Sequence, residues 1–138
     1  MDKNKVDLRL IICDFDDIDH AEITRLTGIT PCYIRKKGET RNPKNPESPL
    51  WENNLWSMNS GLDEFACFEE QMTALLDIIE SKMDVFKSLC LKYYCEFACA
   101  VFTYKDNDES TPSVHLDSRY NKIAAELNCE FDLDLYAW

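Results

Sequence analysis

The longest regular pattern of apolar and polar positions runs from residue 62 to residue 93 and contains no Gly or Pro. Its apolar residues recur mostly at every third or fourth position, as they do along one face of an α-helix. These residues are Phe65, Phe68, Met72, Leu75, Leu76, Ile79, Met83, Phe86, Leu89, Cys90 and Tyr93. Polar residues interrupt the pattern near Ser81, which forms a candidate capping box with Asp84. The pattern predicts two helices, 63–79 and 82–91, whose apolar faces lie in the core.

Three longer segments have the alternation that is typical of β-strands. Residues 6–12 alternate and then become apolar on both faces, and residues 93–104 are dense in aromatic and β-branched side chains. The second of these segments is predicted to be a central strand, because both of its faces are largely apolar. Residues 129–136 alternate between apolar and mostly acidic side chains, which predicts one buried and one polar face. Shorter strands are predicted at 32–35, 51–57 and 113–116.

Short polar motifs mark the ends of two further helices, 20–26 and 119–127. Each helix follows an Asp or Ser that can accept a hydrogen bond from the first turn, and each ends at a Gly or Asn that tolerates a left-handed backbone. In the first helix, Glu22 lies three residues after Asp19, as in a capping box. The capping candidates are Asp17 or Asp19 with Gly28, and Asp117 or Ser118 with Asn128.

The remaining segments are predicted to be surface loops. Residues 36–50 are polar and rich in Pro, and residues 105–112 are polar and suited to a hairpin. The whole chain, 1–138, is therefore predicted to be a single α+β domain, with a mostly antiparallel sheet and helices packed on one face. The predicted order of elements is β-α-β-β-α-α-β-β-α-β.

The charge is acidic and unevenly distributed along the chain. The formal net charge is -11, and residues 1–60 carry 9 basic and 10 acidic side chains, whereas residues 61–138 carry 6 and 16. An acidic surface argues against direct binding to nucleic acid or to an anionic membrane, because phosphate groups are bound by Lys and Arg. It favours a basic protein partner. The alternative is that the acids form a solvated face that maintains solubility.

The candidate residues for binding such a partner are exposed acids and large aromatics. The outer side of the predicted helix pair carries a dense acidic group, and the loop after the central strand carries another. The acidic candidates are Asp63, Glu64, Glu69, Glu70, Asp106, Asp108 and Glu109, with Asp77 and Glu80 on the same helical side as the first four. Trp51 and Trp56 are candidate anchors, although large aromatics more often pack in a core.

The cysteines are predicted to be reduced and to serve in packing. Their number, seven, is odd, and each lies within or beside an apolar pattern, as expected for a cytosolic protein without a disulfide framework. Cys95 and Cys99 point to the same side of a strand, but positions four apart are separated by about 13 Å, which is too far to share one ion. The acids from Asp14 to Asp19 lack the Gly and Glu that a calcium loop of the EF-hand type requires. No metal and no cofactor are expected.

Catalytic motifs are absent from the sequence. His20 and His115 are the two histidines, there is no GxSxG motif, and three glycines do not form a nucleotide-binding pattern. The chain is therefore expected not to be an enzyme, the alternative being a hydrolase or metal-dependent enzyme that uses the turn from Asp14 to Asp19. It has neither a signal peptide nor a run of about 20 apolar residues, so a cytoplasmic protein without a membrane span is expected.

Several motifs resemble those of a known family. They are the Gly-Ile-x-Pro element within Ile18–Pro31, Lys37-Gly38 followed by Trp51, the helical part 62–91, Ser113–Ser118, and Cys129–Tyr136 with its x-Asp-x-Asp-x-Tyr ending. Together they resemble the bacterial domain-of-unknown-function family 4279 across nearly the whole chain. The resemblance implies a compact α+β protein with no established catalytic residues. Some members look like immunity proteins that are encoded beside secreted toxins.

The expected function is that of a non-enzymatic cytosolic binding protein. The first hypothesis is an immunity protein that neutralises a cognate toxin domain by covering it through an acidic surface. Two alternatives remain: a self-associating structural or regulatory protein that pairs through strand 93–104 or the last strand, and an acidic phosphate mimic that inhibits a nucleic-acid-binding protein. Both a monomer and a homodimer are compatible with the sequence.

Overall fold

The computed structural model describes residues 2–138, which form five strands and four helices. The strands are β1 (Lys5–Cys13), β2 (Tyr33–Arg35), β3 (Leu55–Asn59), β4 (Tyr94–Thr103) and β5 (Glu130–Ala137), and the helices are α1 (His20–Thr27), α2 (Phe68–Ser81), α3 (Met83–Lys92) and α4 (Ser118–Leu127). One sheet contains all five strands in the order β2-β3-β1-β4-β5. The β4–β5 pair is parallel and the other pairs are antiparallel. The predicted α+β class is confirmed.

One face of this sheet is buried under the helices. Alternate residues of β1 and β4 face each other across the central pair, with Leu8 opposite Cys99 and Leu10 opposite Phe97. These side chains and apolar residues of all four helices form one buried cluster. Burying each such large side chain stabilises the fold by about 1.5–3 kcal/mol. The predicted core face of the helix pair is confirmed, except that Phe65 is 56% exposed and lies before α2.

The start of α2 is delayed because a separate turn comes first. Asp63 Oδ1 accepts hydrogen bonds from the backbone N–H groups of Phe65 and Ala66, at 2.9 and 3.1 Å. The carbonyl of Glu64 accepts a hydrogen bond from Val6 N, which holds the backbone at Glu64 against β1. The helix therefore begins at Phe68 rather than at residue 63.

The break between α2 and α3 does not use the predicted capping box. Ser81 is the last residue of α2, and its hydroxyl donates to the carbonyl of Ile78 at 2.6 Å. Lys82, with φ −138° and ψ 39°, ends one helix and begins the next without a side-chain cap. The predicted Ser81–Asp84 box is wrong, because the Ser81 hydroxyl is already bound within its own helix.

The predicted caps of α1 and α4 are confirmed. Asp19 accepts a hydrogen bond from Glu22 N at 2.8 Å, and Asp117 accepts one from Tyr120 N at 2.9 Å. Gly28 and Asn128 end α1 and α4 in the left-handed conformation, with φ 69° and 55°. The two helices are therefore fixed by local sequence.

Residues 113–116, predicted to be a strand, form an irregular segment in the structure. The free edge of β4 is taken instead by β5, which pairs from Glu96↔Glu130 to Thr103↔Ala137. Because these strands are parallel, the chain returns through α4 rather than through a hairpin. The predicted hairpin is therefore wrong. Val114 and Leu116 still pack against the core, which explains their apolar character.

Candidate functional site

The two tryptophans proposed as anchors occupy different environments. Trp56 lies on the helix side of β3, is fully buried, and donates from Nε1 to Thr24 Oγ1 at 3.1 Å. Its predicted role as a surface anchor is wrong, because a partner has no access to it, and it packs in the core instead. Trp51 is half-buried and contacts two guanidinium groups, with Arg35 and Arg41 Cζ at 4.2 and 5.0 Å from its ring centroid. Its surroundings are therefore basic.

Most predicted acids around α2 already have structural partners. Asp63 caps the turn before the helix, and Glu64 lies 3.8 Å from Lys5 Nζ. Asp77 and Glu80 both pair with Arg119 of α4, at 2.6 and 2.8 Å. These contacts hold α4 against α2, so the charges of this pair are partly neutralised.

Glu69 and Glu70 remain exposed on the first turn of α2. Carboxylates stabilise this end of a helix, where the backbone N–H groups point outwards. Glu70 also accepts a hydrogen bond from the Cys67 thiol at 3.3 Å. Their position is compatible with a structural role as well as with partner binding.

The predicted acidic loop after β4 lies beside the start of β1 and the end of β5. Glu109 Oε1 accepts a hydrogen bond from Asn4 N at 2.7 Å, and Lys105 N donates to the carbonyl of Trp138 at 2.8 Å. Asp106 and Asp108 both have φ 59°, which is the left-handed conformation that Asp tolerates in turns. The structure therefore brings Glu109 close to the segment that also contacts Glu64, and keeps Asp106 and Asp108 exposed.

A denser acidic group lies on the face of the sheet opposite the helices. We call this group the acidic stripe; its members are Glu96, Glu130, Asp132 and Asp134. In the parallel register Glu96 is opposite Glu130, and the two aspartates are opposite Ala98 and Ala100. Burial raises the pKa of Glu96, with further contributions from the other three carboxylates, against a hydrogen bond from Tyr94. The stripe therefore concentrates repulsive negative charge on one side of β5.

The acidic stripe borders an unpaired edge of the sheet. Among residues 2–138, β5 pairs with β4 alone, so its outer backbone groups have no neighbouring strand. On the helix side, Leu133 and Leu135 are 40% and 70% exposed. They border a groove of about 320 Å³, which is lined by Val101, Thr103, Thr111, Pro112, Val114, Leu133, Leu135, Tyr136 and Ala137. We call this strand and its groove the β5 edge.

The opposite edge of the sheet is basic and aromatic. There β2 carries Tyr33 and Arg35, and the Arg9 guanidinium lies 5.6 Å from the Tyr33 ring centroid. Trp51 and Arg41 belong to the same region. Positive and negative side chains are thus concentrated at opposite edges of the sheet. The uneven distribution of charge along the sequence predicts this separation only in part.

Three cysteines form a cluster that the sequence analysis missed. Cys90 near the end of α3, Cys95 of β4 and Cys129 just before β5 have Sγ atoms that all lie within 4.8 Å of one another. The Cys90–Cys129 separation is 3.9 Å. The parallel register places Glu96 beside Glu130, and therefore Cys95 beside Cys129. This register is the signal that would have revealed the cluster, and it becomes visible only once β4 and β5 are known to be parallel.

The three thiols influence each other's ionisation. Hydrogen bonds from Cys90 and Cys95 lower the pKa of Cys129 to about 5, against the effect of burial. The hydrogen bond to Cys129 raises the pKa of Cys90 and that of Cys95, and burial adds to both effects. The cluster therefore favours one thiolate that is shared by two thiol donors.

The acids between Asp14 and Asp19 do not converge. Asp16 lies 3.5 Å from Lys37, Asp17 lies 2.6 Å from Lys92, and Asp19 caps α1. Within residues 2–138, the cysteine cluster is the single group of three or more His, Cys, Asp or Glu side chains whose ligand atoms lie close together.

The two histidines lie in separate parts of the described structure, and the one hydrogen bond recorded for His20 is to a backbone carbonyl. His20 Nε2 lies 2.7 Å from the carbonyl oxygen of Arg35, and its ring packs edge-on against Phe15 at 5.0 Å. His115 is exposed in the irregular segment before α4. His20 thus links the start of α1 to β2.

The sequence was compared with known proteins, with solved structures and with protein-family models. Neither the curated proteins nor the solved structures contain a match to the chain. None of the helices in residues 2–138 combines the length and the apolar character that crossing a membrane requires. A family model with the description "Domain of unknown function (DUF4279)" matches residues 4–138, essentially the whole chain. The resemblance drawn from the motifs is confirmed, and the chain belongs to this family.

Proposed function

We propose that this protein is a non-enzymatic binding protein that holds an extended segment of a basic protein partner along the β5 edge. The observation that carries the proposal is that the edge strand β5 has exposed apolar side chains on one face and borders the acidic stripe on the other. Neither feature by itself defines a binding site, but together they specify the chemistry of one occupant.

The backbone groups on the open side of β5 are able to bind an added strand. An edge strand presents a row of unpaired N–H and C=O groups on its open side, and an added strand completes their hydrogen bonds. β5 is eight residues long, which is enough for several such bonds. Each hydrogen bond adds about 0.5–1.5 kcal/mol in net terms. This gives affinity with little sequence preference.

The side chains around β5 determine which sequences the edge prefers to bind. An added strand alternates its residues between the two faces of the sheet. Apolar residues on one side would cover Leu133 and Leu135, and Lys or Arg residues on the other would face the acidic stripe. Such cations offset the repulsion among these carboxylates, which adds to the effect of burial in raising the pKa of Glu96. Long-range attraction between opposite charges also increases the rate of association.

The charge pattern argues against a second copy of the chain as the occupant. If two β5 strands paired with their helix-free faces on the same side, Asp132 and Asp134 of both copies would lie side by side. Like charges directly opposite each other in a sheet are destabilising. The acids thus protect the edge against symmetric self-pairing and leave it open to a basic segment.

The specific partner that we propose is a basic toxin domain, with this chain as its cytosolic immunity protein. Support comes from the formal net charge of -11 and from seven free thiols, which persist in a reducing compartment. A nucleic-acid-binding protein whose phosphate site is blocked by the acidic stripe is the alternative partner, and it requires the same charge complementarity.

The decisive experiment measures binding to the protein encoded by the adjacent gene, using isothermal titration calorimetry and rescue of growth on co-expression. Reversal of two stripe charges, Asp132→Lys with Asp134→Lys, is expected to weaken binding by more than tenfold. The matched control, Glu69→Lys with Glu70→Lys, changes the same charge on α2 and is expected to leave the affinity within about twofold.

Opposite effects of the two double variants would transfer the binding surface from the β5 edge to α2. Absence of both complex and rescue would remove the immunity proposal. A stable symmetric dimer in light scattering that dissociates after Asp134→Lys would contradict the argument against self-pairing.

A further inference from the structure

The cluster of Cys90, Cys95 and Cys129 has the geometry of a metal site, and it lies at the start of β5, outside the groove of the β5 edge. Its three ligands come from the end of a helix, the start of a central strand and the residue before the edge strand. They are separated by up to 39 residues, yet their sulfur atoms converge. Only three-dimensional packing brings them together.

The sulfur separations match those of a three-thiolate complex. Around one ion at a metal–sulfur distance of about 2.3 Å, three sulfurs lie about 3.8–4.0 Å apart. Cys90 and Cys129 are 3.9 Å apart, and the widest separation in the cluster is at most 4.8 Å. The widest separation therefore has to shorten by at most about 1 Å to match the distances around one ion.

We propose that Cys90, Cys95 and Cys129 bind one thiophilic divalent cation, Zn²⁺ or its softer analogue Cd²⁺, through three thiolates. The fourth tetrahedral position is open to water, because Cys129 is partly exposed whereas Cys90 and Cys95 are buried. Binding releases the thiol protons, so affinity falls as the pH is lowered.

Electrostatics decides the charge of the ion. Three thiolates carry three negative charges, and burying an uncompensated charge is costly. A divalent ion leaves one negative charge, whereas a monovalent ion leaves two. The divalent ion is therefore favoured in this buried site.

The test uses the full chain with its two exposed thiols removed by Cys32→Ser and Cys67→Ser, since these could bind metal at the surface. The reduced protein is titrated with Cd²⁺, and the thiolate-to-cadmium charge-transfer absorption is recorded against a competing chelator. One equivalent per chain is expected. Elemental analysis after gel filtration in Zn²⁺ is expected to give the same ratio.

Matched variants then separate ligation from packing. Cys129→Ala is expected to lower the affinity by more than about 100-fold, because loss of a direct ligand exceeds the 10–100-fold cost of losing a supporting contact. Cys99→Ala removes a buried thiol from the same side of β4 but outside the cluster, and it is expected to leave the affinity unchanged.

Equal affinities of Cys129→Ala and Cys99→Ala, or no charge-transfer band in the chain that lacks the exposed thiols, would overturn the proposal. So would a Cys90–Cys129 disulfide in protein purified under reducing conditions, detected by mass spectrometry. If Cys129→Ala does not fold, the proposal is tested instead by the thermal midpoint of the chain that carries Cys32→Ser and Cys67→Ser. Saturating Zn²⁺ is expected to raise it, and no shift would contradict binding to the folded state.

Discussion

Glu96 of β4 and Glu130 of β5 are direct partners in the parallel register, and both carboxylates lie on the helix-free face of the sheet. The hydroxyl of Tyr94 lies 2.9 Å from an oxygen of each. Two acids and one phenol thus share a site where the neighbouring aspartates add further negative charge. This relationship places a group of like charges beside the edge strand β5.

The first prediction concerns the stability cost of burying the Glu96 carboxylate beside its neighbouring acids. The pKa of Glu96 in the folded state lies above its ordinary value of 4.5, so protonation stabilises the fold. This stabilisation is fully present below about pH 4.5 and is lost as the pH rises through the raised pKa. At pH 7, Glu96→Gln is therefore expected to increase the free energy of unfolding by roughly 0.2–1 kcal/mol.

Urea denaturation at pH 7 and at pH 4 measures this effect, with Glu52→Gln in an exposed loop as the control. The gain from Glu96→Gln is expected at the higher pH and is expected to shrink at the lower one. A gain of equal size at both pH values would show that the charge of Glu96 is not its cause.

The second prediction separates two phenylalanines that the apolar pattern alone does not distinguish well. Phe97 is fully buried and packs edge-on against Tyr120 at 5.3 Å, whereas Phe65 is 56% exposed. Phe97→Ala is expected to cost about 3–5 kcal/mol of unfolding free energy. Phe65→Ala is expected to cost less than about 1 kcal/mol. Chemical denaturation measures both, and similar costs would contradict the assignment of the core face.

The third prediction compares three capping candidates. Asp19→Ala and Asp117→Ala each remove a side-chain hydrogen bond to a helix N-terminus and are expected to cost about 1 kcal/mol. Ser81→Ala is expected to change the stability by less than about 0.5 kcal/mol, because Ser81 does not cap α3. A cost for Ser81→Ala as large as that of the aspartate variants would restore the capping box.

The fourth prediction tests the β5 edge through an apolar side chain. Leu135 is 70% exposed beside the groove, so Leu135→Lys is expected to leave the thermal midpoint within about 2 °C while weakening partner binding. A Lys on an edge strand also opposes aggregation through strand pairing. Circular dichroism and calorimetry measure the two effects. Unchanged affinity for the basic partner would exclude the groove from the interface.

The sequence by itself determined the features that depend on neighbours along the chain. The helical period identified the core face of α2 and α3, and Asp19, Gly28, Asp117 and Asn128 located the ends of α1 and α4. These features form within a few residues, through local hydrogen bonds and side-chain direction. The sequence therefore contains the information needed to predict them.

Only the tertiary structure decided which distant segments meet. The alternation in β5 is compatible with either edge and either direction, so the parallel pairing with β4 was not predicted, and residues 113–116 were assigned to a strand. The position of Glu96 beside Glu130 and the convergence of the three cysteines follow from that pairing, and the burial of Trp56 follows from the packing of β3 against α1. The physical reason is that strand pairing depends on the relative free energies of different segments at the same sheet edge. The pattern within one segment does not contain that information.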